Sequence, residues 1–151
     1  MALRKTTSVL CSTALVWLSS HTAFAAEPVL PMRVVQLGEV QYISGGESKA
    51  ERAELNARSS DFRLQVSFSA SDPSAPPKHV DVKLLPQGEA ARPIKLTTAG
   101  PLLLVNMPSG KYKLIASVHG SQGSAIPQAV ESQIELQAGE SEQLEIKLDP
   151  A

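Results

Sequence analysis

The chain has 151 residues, with 14 lysines and arginines against 15 aspartates and glutamates, so its formal net charge is −1. The basic residues are scattered along the chain, which argues against nucleic acid or an anionic membrane surface as the main partner. The single cysteine, Cys11, lies near the start, so the rest of the chain must fold on its hydrophobic core without a disulfide.

Residues 1–25 have the features of a bacterial signal peptide. A basic start precedes a short apolar run, and Ala23-Phe24-Ala25 places small residues at the two positions that a signal peptidase reads. The apolar run is too short to span a bilayer, which needs about 20 apolar residues. We therefore predict cleavage between Ala25 and Ala26, a periplasmic or secreted protein, and a mature chain without a transmembrane segment. An uncleaved membrane anchor is the alternative.

Residues 26–40 are expected to be an extended segment that precedes a domain at residues 41–150. Early in that domain, the sequence SGGESKAERAELNARSS predicts a helix near residues 48–59. Ser48 and Glu51 have the spacing of a capping box. The helix is short, so it must dock on the rest of the domain.

Two roles are open for this helix. Leu55, its only large apolar residue, would dock it as a lid over one end of the core. Its other face, with Lys49, Arg52 and Glu54, is a candidate partner surface. Glu54 also stands four residues before Arg58, in the favourable order for an ion pair.

From Phe62 onward, apolar and polar residues alternate with the period of strands that have one buried and one exposed face. Segments rich in Gly and Pro separate the alternating runs. The pattern predicts an all-β fold, a seven-stranded antiparallel Ig-like sandwich with one short N-terminal helix. The seven strands are predicted in FRLQVSFSA, HVDVKLL, PIKLTT, PLLLVNM, KYKLIASV, VESQIELQ and EQLEIKL.

The sequence NMPSGKYKL marks a tight connection between two of these strands. Pro108 has no amide hydrogen to donate to a strand pair, so it ends the first strand. Gly110 can adopt a positive φ in the reversal. Tyr112 then points inward at the start of the next strand, which favours a core or corner tyrosine over a catalytic one.

This connection resembles the carboxypeptidase regulatory-like domains, which are transthyretin-like sandwiches with a Leu-Pro-x-Gly-x-Tyr pattern between two strands. Met107 stands where leucine is usual. With YISGGESKAERAEL upstream, the chain is similar to small exported bacterial proteins that carry one such domain. The resemblance implies a non-catalytic domain. It rests on Gly45, Gly46, Glu51, Leu55, Gly100, Pro101, Pro108, Gly110, Tyr112 and Ala116.

No catalytic, cofactor-binding or metal-binding motif is recognisable in the sequence, and we expect a protein that is not an enzyme. His79 and His119 flank predicted strands and are expected to lie on the surface. A copper site that combines them with Met32 and Met107 would need four residues that are not grouped in sequence.

The resulting hypothesis is a non-catalytic, exported binding module that contacts a protein or glycan of the cell envelope through loops or an exposed sheet edge. One alternative is a structural or accessory subunit of an envelope or surface assembly that engages partners by strand addition. Residues 101–107 are the candidate edge, although the family resemblance places them inside the sheet. A second alternative is a carbohydrate-binding module. An enzyme is the third.

Overall fold

A computed structural model describes residues 32–88, 92–119 and 129–148. The predicted signal peptide and the bond between Ala25 and Ala26 lie outside these residues. Over the described ranges, no helix is long and apolar enough to cross a membrane.

The described part of the chain is mostly β-structure, with one α-helix followed by a 3₁₀ turn at Ser59–Asp61. In chain order the elements are β1 (Val35–Leu37), β2 (Val40–Gly45), α1 (Lys49–Arg58), β3 (Leu64–Ser69), β4 (Val80–Pro86), β5 (Ile94–Thr97), β6 (Leu102–Asn106), β7 (Gly110–Val118), β8 (Val130–Leu136) and β9 (Glu142–Lys147).

The strands form two sheets, one with the order β1-β2-β6-β3-β9 and one with the order β5-β4-β7-β8. The seven predicted strands correspond to β3 to β9, but the predicted number is wrong because β1 and β2 add two more. Strand β1 lies within the segment that we expected to be merely extended. It has only three residues and is largely exposed, which is too short for an alternating pattern to be recognised.

The prediction of a purely antiparallel fold is also wrong at one edge. Strands β3 and β9 pair in parallel, from Leu64 opposite Glu142 to Ser69 opposite Lys147. The segment after β8 crosses from the four-stranded sheet to the five-stranded one, and it brings β9 beside β3 in the same direction. Alternation shows which face of a strand is buried, but it does not show which strand lies next to it.

The main core lies between the two sheets and is built from the inward side chains of both. Leu64, Leu103 and Leu114 have no exposed surface, and full burial of one such side chain stabilises the fold by about 1.5–3 kcal/mol. The buried members of this core are Val40, Leu64, Val66, Phe68, Val80, Val82, Leu84, Leu96, Leu103, Val105, Met107, Tyr112, Leu114, Ala116, Ile134, Leu136, Ile146 and Leu148.

Helix α1 covers the outer face of the five-stranded sheet. Leu55 packs with Ile43, Phe62 and Leu104 in a second cluster, separate from the main core. The helix is therefore a lid, but the expectation that it covers one end of the core is wrong. The reason is that Ile43 and Leu104 alternate with core residues and so point to the opposite side of the sheet.

The predicted capping box is present at the start of the helix. The Ser48 hydroxyl accepts a hydrogen bond from the Glu51 amide at 3.1 Å, and the Glu51 carboxylate accepts from the Ser48 amide at 3.4 Å. The same carboxylate oxygen also accepts from the amides of Gly46 and Glu47 at 3.0 and 2.9 Å. Gly46 has a φ of 97°, a conformation that glycine adopts without strain.

Candidate functional site

The helix face predicted as a partner surface is only partly free. Lys49 and Arg52 are exposed, but Glu54 is half-buried. Its Oε1 atom accepts a hydrogen bond from the Met32 amide at 3.2 Å and lies 3.6 Å from Arg58 Nη1. Arg58 in turn donates to the Met32 carbonyl at 3.2 Å. Glu54 therefore holds the segment before β1 in place and does not belong to a free partner surface.

The Pro-Ser-Gly connection joins the two sheets. The sequence predicts a tight reversal here. Because β6 and β7 belong to different sheets, the connection crosses from one sheet to the other. Gly110 has a φ of 157°, and a Cβ atom there would make an ordinary contact with the Tyr112 ring at 3.6 Å. Tyr112 is buried, and its hydroxyl donates to the Pro108 carbonyl at 2.8 Å.

Arg63, which directly precedes β3, holds the same connection through its side chain. Its guanidinium donates to the Met107 carbonyl at 3.1 Å and to the Ser109 hydroxyl at 3.2 Å. Burial raises the pKa of the Tyr112 phenol above its ordinary value, against the smaller opposing effect of the Arg63 charge. These contacts give the connection an architectural role.

Gly100 and Pro101, which are among the residues that carry the family resemblance, contribute through their backbone. The Gly100 carbonyl accepts from the Thr98 hydroxyl at 2.9 Å, and the Pro101 carbonyl accepts from the Phe68 amide at 2.7 Å. Gly100 also lies directly against the backbone of Gly45, where a Cβ atom would clash.

The outer face of the four-stranded sheet carries acidic, basic, hydroxyl and imidazole side chains. Along β4 and β5, the apolar side chains point inward and the polar ones point outward. The outward side chains line a groove of about 490 Å³, which we call the sheet-face groove. It is lined by Asp81, Val82, Lys83, Lys95, Leu96, Thr97, Ile115, Ser117 and His119.

Lys83 and Lys95 lie directly opposite each other in this groove, across the antiparallel pair β4–β5. On its other side, Lys83 is opposite Ile115 of β7. Within the described residues, neither lysine has a carboxylate within 4 Å. Like charges at directly opposed positions destabilise a strand pair, so the two ammonium groups favour an anion between them.

The lysines of β7 on the same sheet face are arranged differently. Lys111 lies 3.5 Å from the Glu135 carboxylate, and Lys113 lies 2.6 Å from that of Glu131. These cross-strand pairs neutralise the β7–β8 half of the face. On the β4–β5 half, the Asp81 carboxylate bonds to Thr97 and His119, and the two lysines there form no ion pair with any residue that the structure describes.

Two histidines meet at the end of the groove. His79 precedes β4 and His119 follows β7, and the His119 amide donates to the His79 carbonyl at 3.0 Å. Their ring centroids lie 6.4 Å apart, with the planes nearly perpendicular at 83°. We call these two residues the histidine pair.

Each ring of the histidine pair is oriented by an oxygen acceptor. His79 Nδ1 lies 3.0 Å from the Thr98 carbonyl, and His119 Nδ1 lies 2.9 Å from both carboxylate oxygens of Asp81. The Thr97 hydroxyl donates to Asp81 Oδ1 at 2.6 Å. Partial burial would raise the pKa of Asp81, but the hydrogen bonds from Thr97 and His119 outweigh it, and the pKa lies below its ordinary value.

The exposed histidines predicted from the sequence are thus brought together, but not with the two methionines. Met32 packs in the cluster under α1, whereas Met107 is buried in the main core. In the described ranges, no group of three His, Cys, Asp or Glu residues is placed to hold a metal ion. The histidine pair could be found only from the β4–β7 register, which the sequence pattern does not supply.

The strand proposed as a free edge is not one. Residues 101–107 contain β6, which lies between β2 and β3 in the five-stranded sheet. The edges are instead β1 and β9 in that sheet, and β5 and β8 in the four-stranded sheet. Of these, β5 carries Lys95 and borders the sheet-face groove.

Comparison with known proteins does not assign a family. No protein-family model and no curated protein matches the chain. Among solved structures, 5-hydroxyisourate hydrolase from Klebsiella pneumoniae is similar over 58% of this chain and 90% of that chain, with 18% sequence identity and a TM-score of 0.44. A similarity of this size supports no conclusion about fold or activity, and the fold and sites above rest on contacts within this chain.

Proposed function

We propose that this chain is an exported, non-catalytic β-sandwich of the carboxypeptidase regulatory-like, transthyretin-like type that binds an acidic segment of a cell-envelope protein. The proposed binding surface is the sheet-face groove. The observation that carries the proposal is the direct opposition of Lys83 and Lys95, which have no acidic partner among the described residues.

The chemistry of the groove favours a peptide as the ligand. A row across the sheet places Lys95, Lys83 and Ile115 side by side, so two cations lie next to an apolar side chain. An acidic residue of a partner would neutralise the lysines, and a neighbouring apolar residue would cover Ile115. The hydroxyl of Ser117 supplies a hydrogen-bond partner in the same groove.

The edge strand β5 adds a second means of attachment. An extended segment can add to a sheet edge through backbone hydrogen bonds, and its side chains then face those of the edge strand. Because Lys95 lies on β5, an added strand with an acidic residue opposite it would gain a favourable cross-strand pair, whereas a basic residue there would be repelled. The positive charge of Lys95 therefore favours acidic strands over basic ones as partners for this edge.

Fluorescence anisotropy with defined probes tests this proposal. The probes are a labelled peptide that alternates Glu and Leu, its Gln-containing counterpart, and a labelled oligogalacturonate. We expect saturable binding of the acidic peptide only, weakened by salt because exposed charges are screened over about 8 Å at physiological ionic strength. Binding of the oligogalacturonate alone would favour the carbohydrate-binding alternative, and equal binding of the Glu and Gln peptides would contradict the proposal.

Two matched double variants locate the surface. Lys83→Glu with Lys95→Glu reverses the groove lysines, and Lys49→Glu with Arg52→Glu reverses the same number of charges on the helix. The first is expected to abolish binding of the acidic peptide, and the second to leave it unchanged. The opposite result would assign binding to the helix face. If neither variant affects binding, the groove is not the binding surface.

A further inference from the structure

We propose that His79 and His119 form a binding site for a divalent transition-metal ion, with the two Nε2 atoms as its protein ligands. This site lies at the end of the sheet-face groove and is separate from the lysines that carry the proposed peptide-binding function. The proposal rests on how the two rings are placed and on how their other nitrogens are occupied.

The backbone places the two rings within reach of one ion. Val80 and Val118 are opposite each other in the β4–β7 pair, and the His119 amide bonds to the His79 carbonyl one position further along. A zinc–nitrogen bond of about 2.0–2.1 Å plus the ring radius places an ion about 3.2 Å from a ring centroid. The observed centroid separation of 6.4 Å is the largest that one ion can span.

One ion spans the 6.4 Å separation only when it lies in line between the two rings, so a bent coordination geometry requires the rings to move closer together. The His119 side chain is 56% exposed, so packing leaves its ring room to move toward His79, and the Asp81 carboxylate must follow the ring to keep its bond to Nδ1. Such a movement shortens the centroid separation and leaves the remaining coordination positions open to water or to a group from a partner. An ion that is held by only two protein ligands can therefore exchange with ions in solution.

The second nitrogen of each ring is held as it is in established metal sites. Histidines that bind metals usually donate their other ring N–H to a carboxylate or a backbone carbonyl, which fixes the tautomer. Here the acceptors are the Asp81 carboxylate and the Thr98 carbonyl. Because both acceptors require a proton on Nδ1, the lone pair of each neutral ring is on Nε2. The Thr97 hydroxyl in turn orients Asp81.

The ligand chemistry indicates the class of ion. Neutral imidazole suits Zn²⁺, Cu²⁺ and Ni²⁺, whereas Mg²⁺ and Ca²⁺ prefer oxygen ligands. Binding requires both rings to be unprotonated, so affinity falls with decreasing pH. We expect zinc and nickel to compete for this site and magnesium to leave it unchanged.

The test uses untagged full-length protein, titrated with ZnCl₂ in a calorimeter and followed by NMR of the histidine side chains. We expect one saturable site and zinc-dependent shifts of the His79 and His119 ring signals. His79→Gln and His119→Gln should each remove the site, whereas Asp81→Asn should weaken it by about tenfold, as is typical for loss of an orienting partner. In the uncleaved full-length chain used here, His21→Gln changes the remaining histidine, which lies in the predicted signal peptide; it is the control and should bind zinc like the unaltered protein.

Thermal melts of each variant without metal establish that it is folded. Zinc binding that survives both His79→Gln and His119→Gln would overturn the proposal, as would a folded wild-type protein that binds no zinc. A site that His21→Gln removes would place the ion elsewhere and would also overturn it. Lys83→Glu with Lys95→Glu should keep the zinc site, so failure of the metal proposal and failure of the peptide-binding proposal are distinguishable.

Discussion

The Tyr112 hydroxyl donates to the carbonyl of Pro108 at 2.8 Å, and this bond closes the connection between the two sheets. The ring of Tyr112 fills the end of the core and is only 6% exposed. Packing and hydrogen bonding thus act on the same short connection between β6 and β7. Tyr112 is therefore a structural residue, and the contributions of its ring and of its hydroxyl to stability can be measured separately.

Two substitutions at Tyr112 should separate these contributions. Tyr112→Ala removes a buried aromatic ring and should lower the free energy of unfolding by about 3 kcal/mol. Tyr112→Phe keeps the ring and loses the bond to Pro108, which should cost about 1 kcal/mol. Urea denaturation of both variants measures the two values. Equal midpoints for Tyr112→Ala and the wild type would contradict the packed position of the ring.

Alkaline pH should destabilise the protein through the same residue. Burial raises the pKa of Tyr112 above its ordinary value of 10.0, so the unfolded chain loses this proton at a lower pH than the folded chain does. The contribution of the protonated phenol to the free energy of unfolding is fully present below pH 10. It is lost as the pH rises through the pKa of Tyr112 in the folded protein. Urea melts across this range should show a steeper loss for the wild type than for Tyr112→Phe, which has no proton to lose. Parallel curves would show that the phenol ionises equally in both states.

The close approach of Gly100 to Gly45 predicts that Gly100 tolerates no side chain. A Cβ atom there would overlap the Gly45 backbone, and overpacking of this kind typically costs about 1–3 kcal/mol. Gly100→Ala should therefore lower the midpoint of unfolding. Gly88→Ala is the matched control, because a Cβ atom at Gly88 meets nothing within 4 Å. If both variants unfold at the wild-type midpoint, the two glycines do not pack as described.

Export predicts a defined mature N-terminus. If signal peptidase cleaves between Ala25 and Ala26, the periplasmic protein should have an intact mass that corresponds to residues 26–151. Replacing Ala25 with a bulky residue, as in Ala25→Leu, should block processing because the peptidase requires a small side chain there. Intact-mass measurement of both proteins tests this, and a periplasmic protein that retains Met1 would refute the cleavage prediction.

Local patterns in the sequence predicted the elements of the fold well. The capping box at Ser48 and Glu51, the seven strands from β3 to β9 and the inward position of Tyr112 each depend on residues close together in the chain. Alternation and turn chemistry are sufficient for features of this kind. Strands β1 and β2 were both missed. The three residues of β1 are largely exposed and carry no such pattern, and in β2 the adjacent apolar residues Tyr42 and Ile43 break the alternation.

Features that depend on strand neighbours could not be predicted in this way. The outward positions of Lys83 and Lys95 follow from alternation, but their direct opposition needs the β4–β5 register. The contact between His79 and His119 likewise needs the β4–β7 register. The parallel position of β9 depends on which sheet the chain enters after β8. Glu54 was assigned to a free surface because a local pattern cannot show its bond to the Met32 amide, which lies far from it in the sequence.

A charge exchange across the sheet-face groove tests the proposed function most directly. The measurement is the affinity of the wild type, and of Lys83→Glu with Lys95→Glu, for the Glu-Leu peptide and for a Lys-Leu peptide of the same length. We predict that the wild type binds only the acidic peptide and that the reversed variant binds only the basic one, because opposed charges attract and like charges repel at paired positions. The same preference in both proteins would contradict binding in this groove.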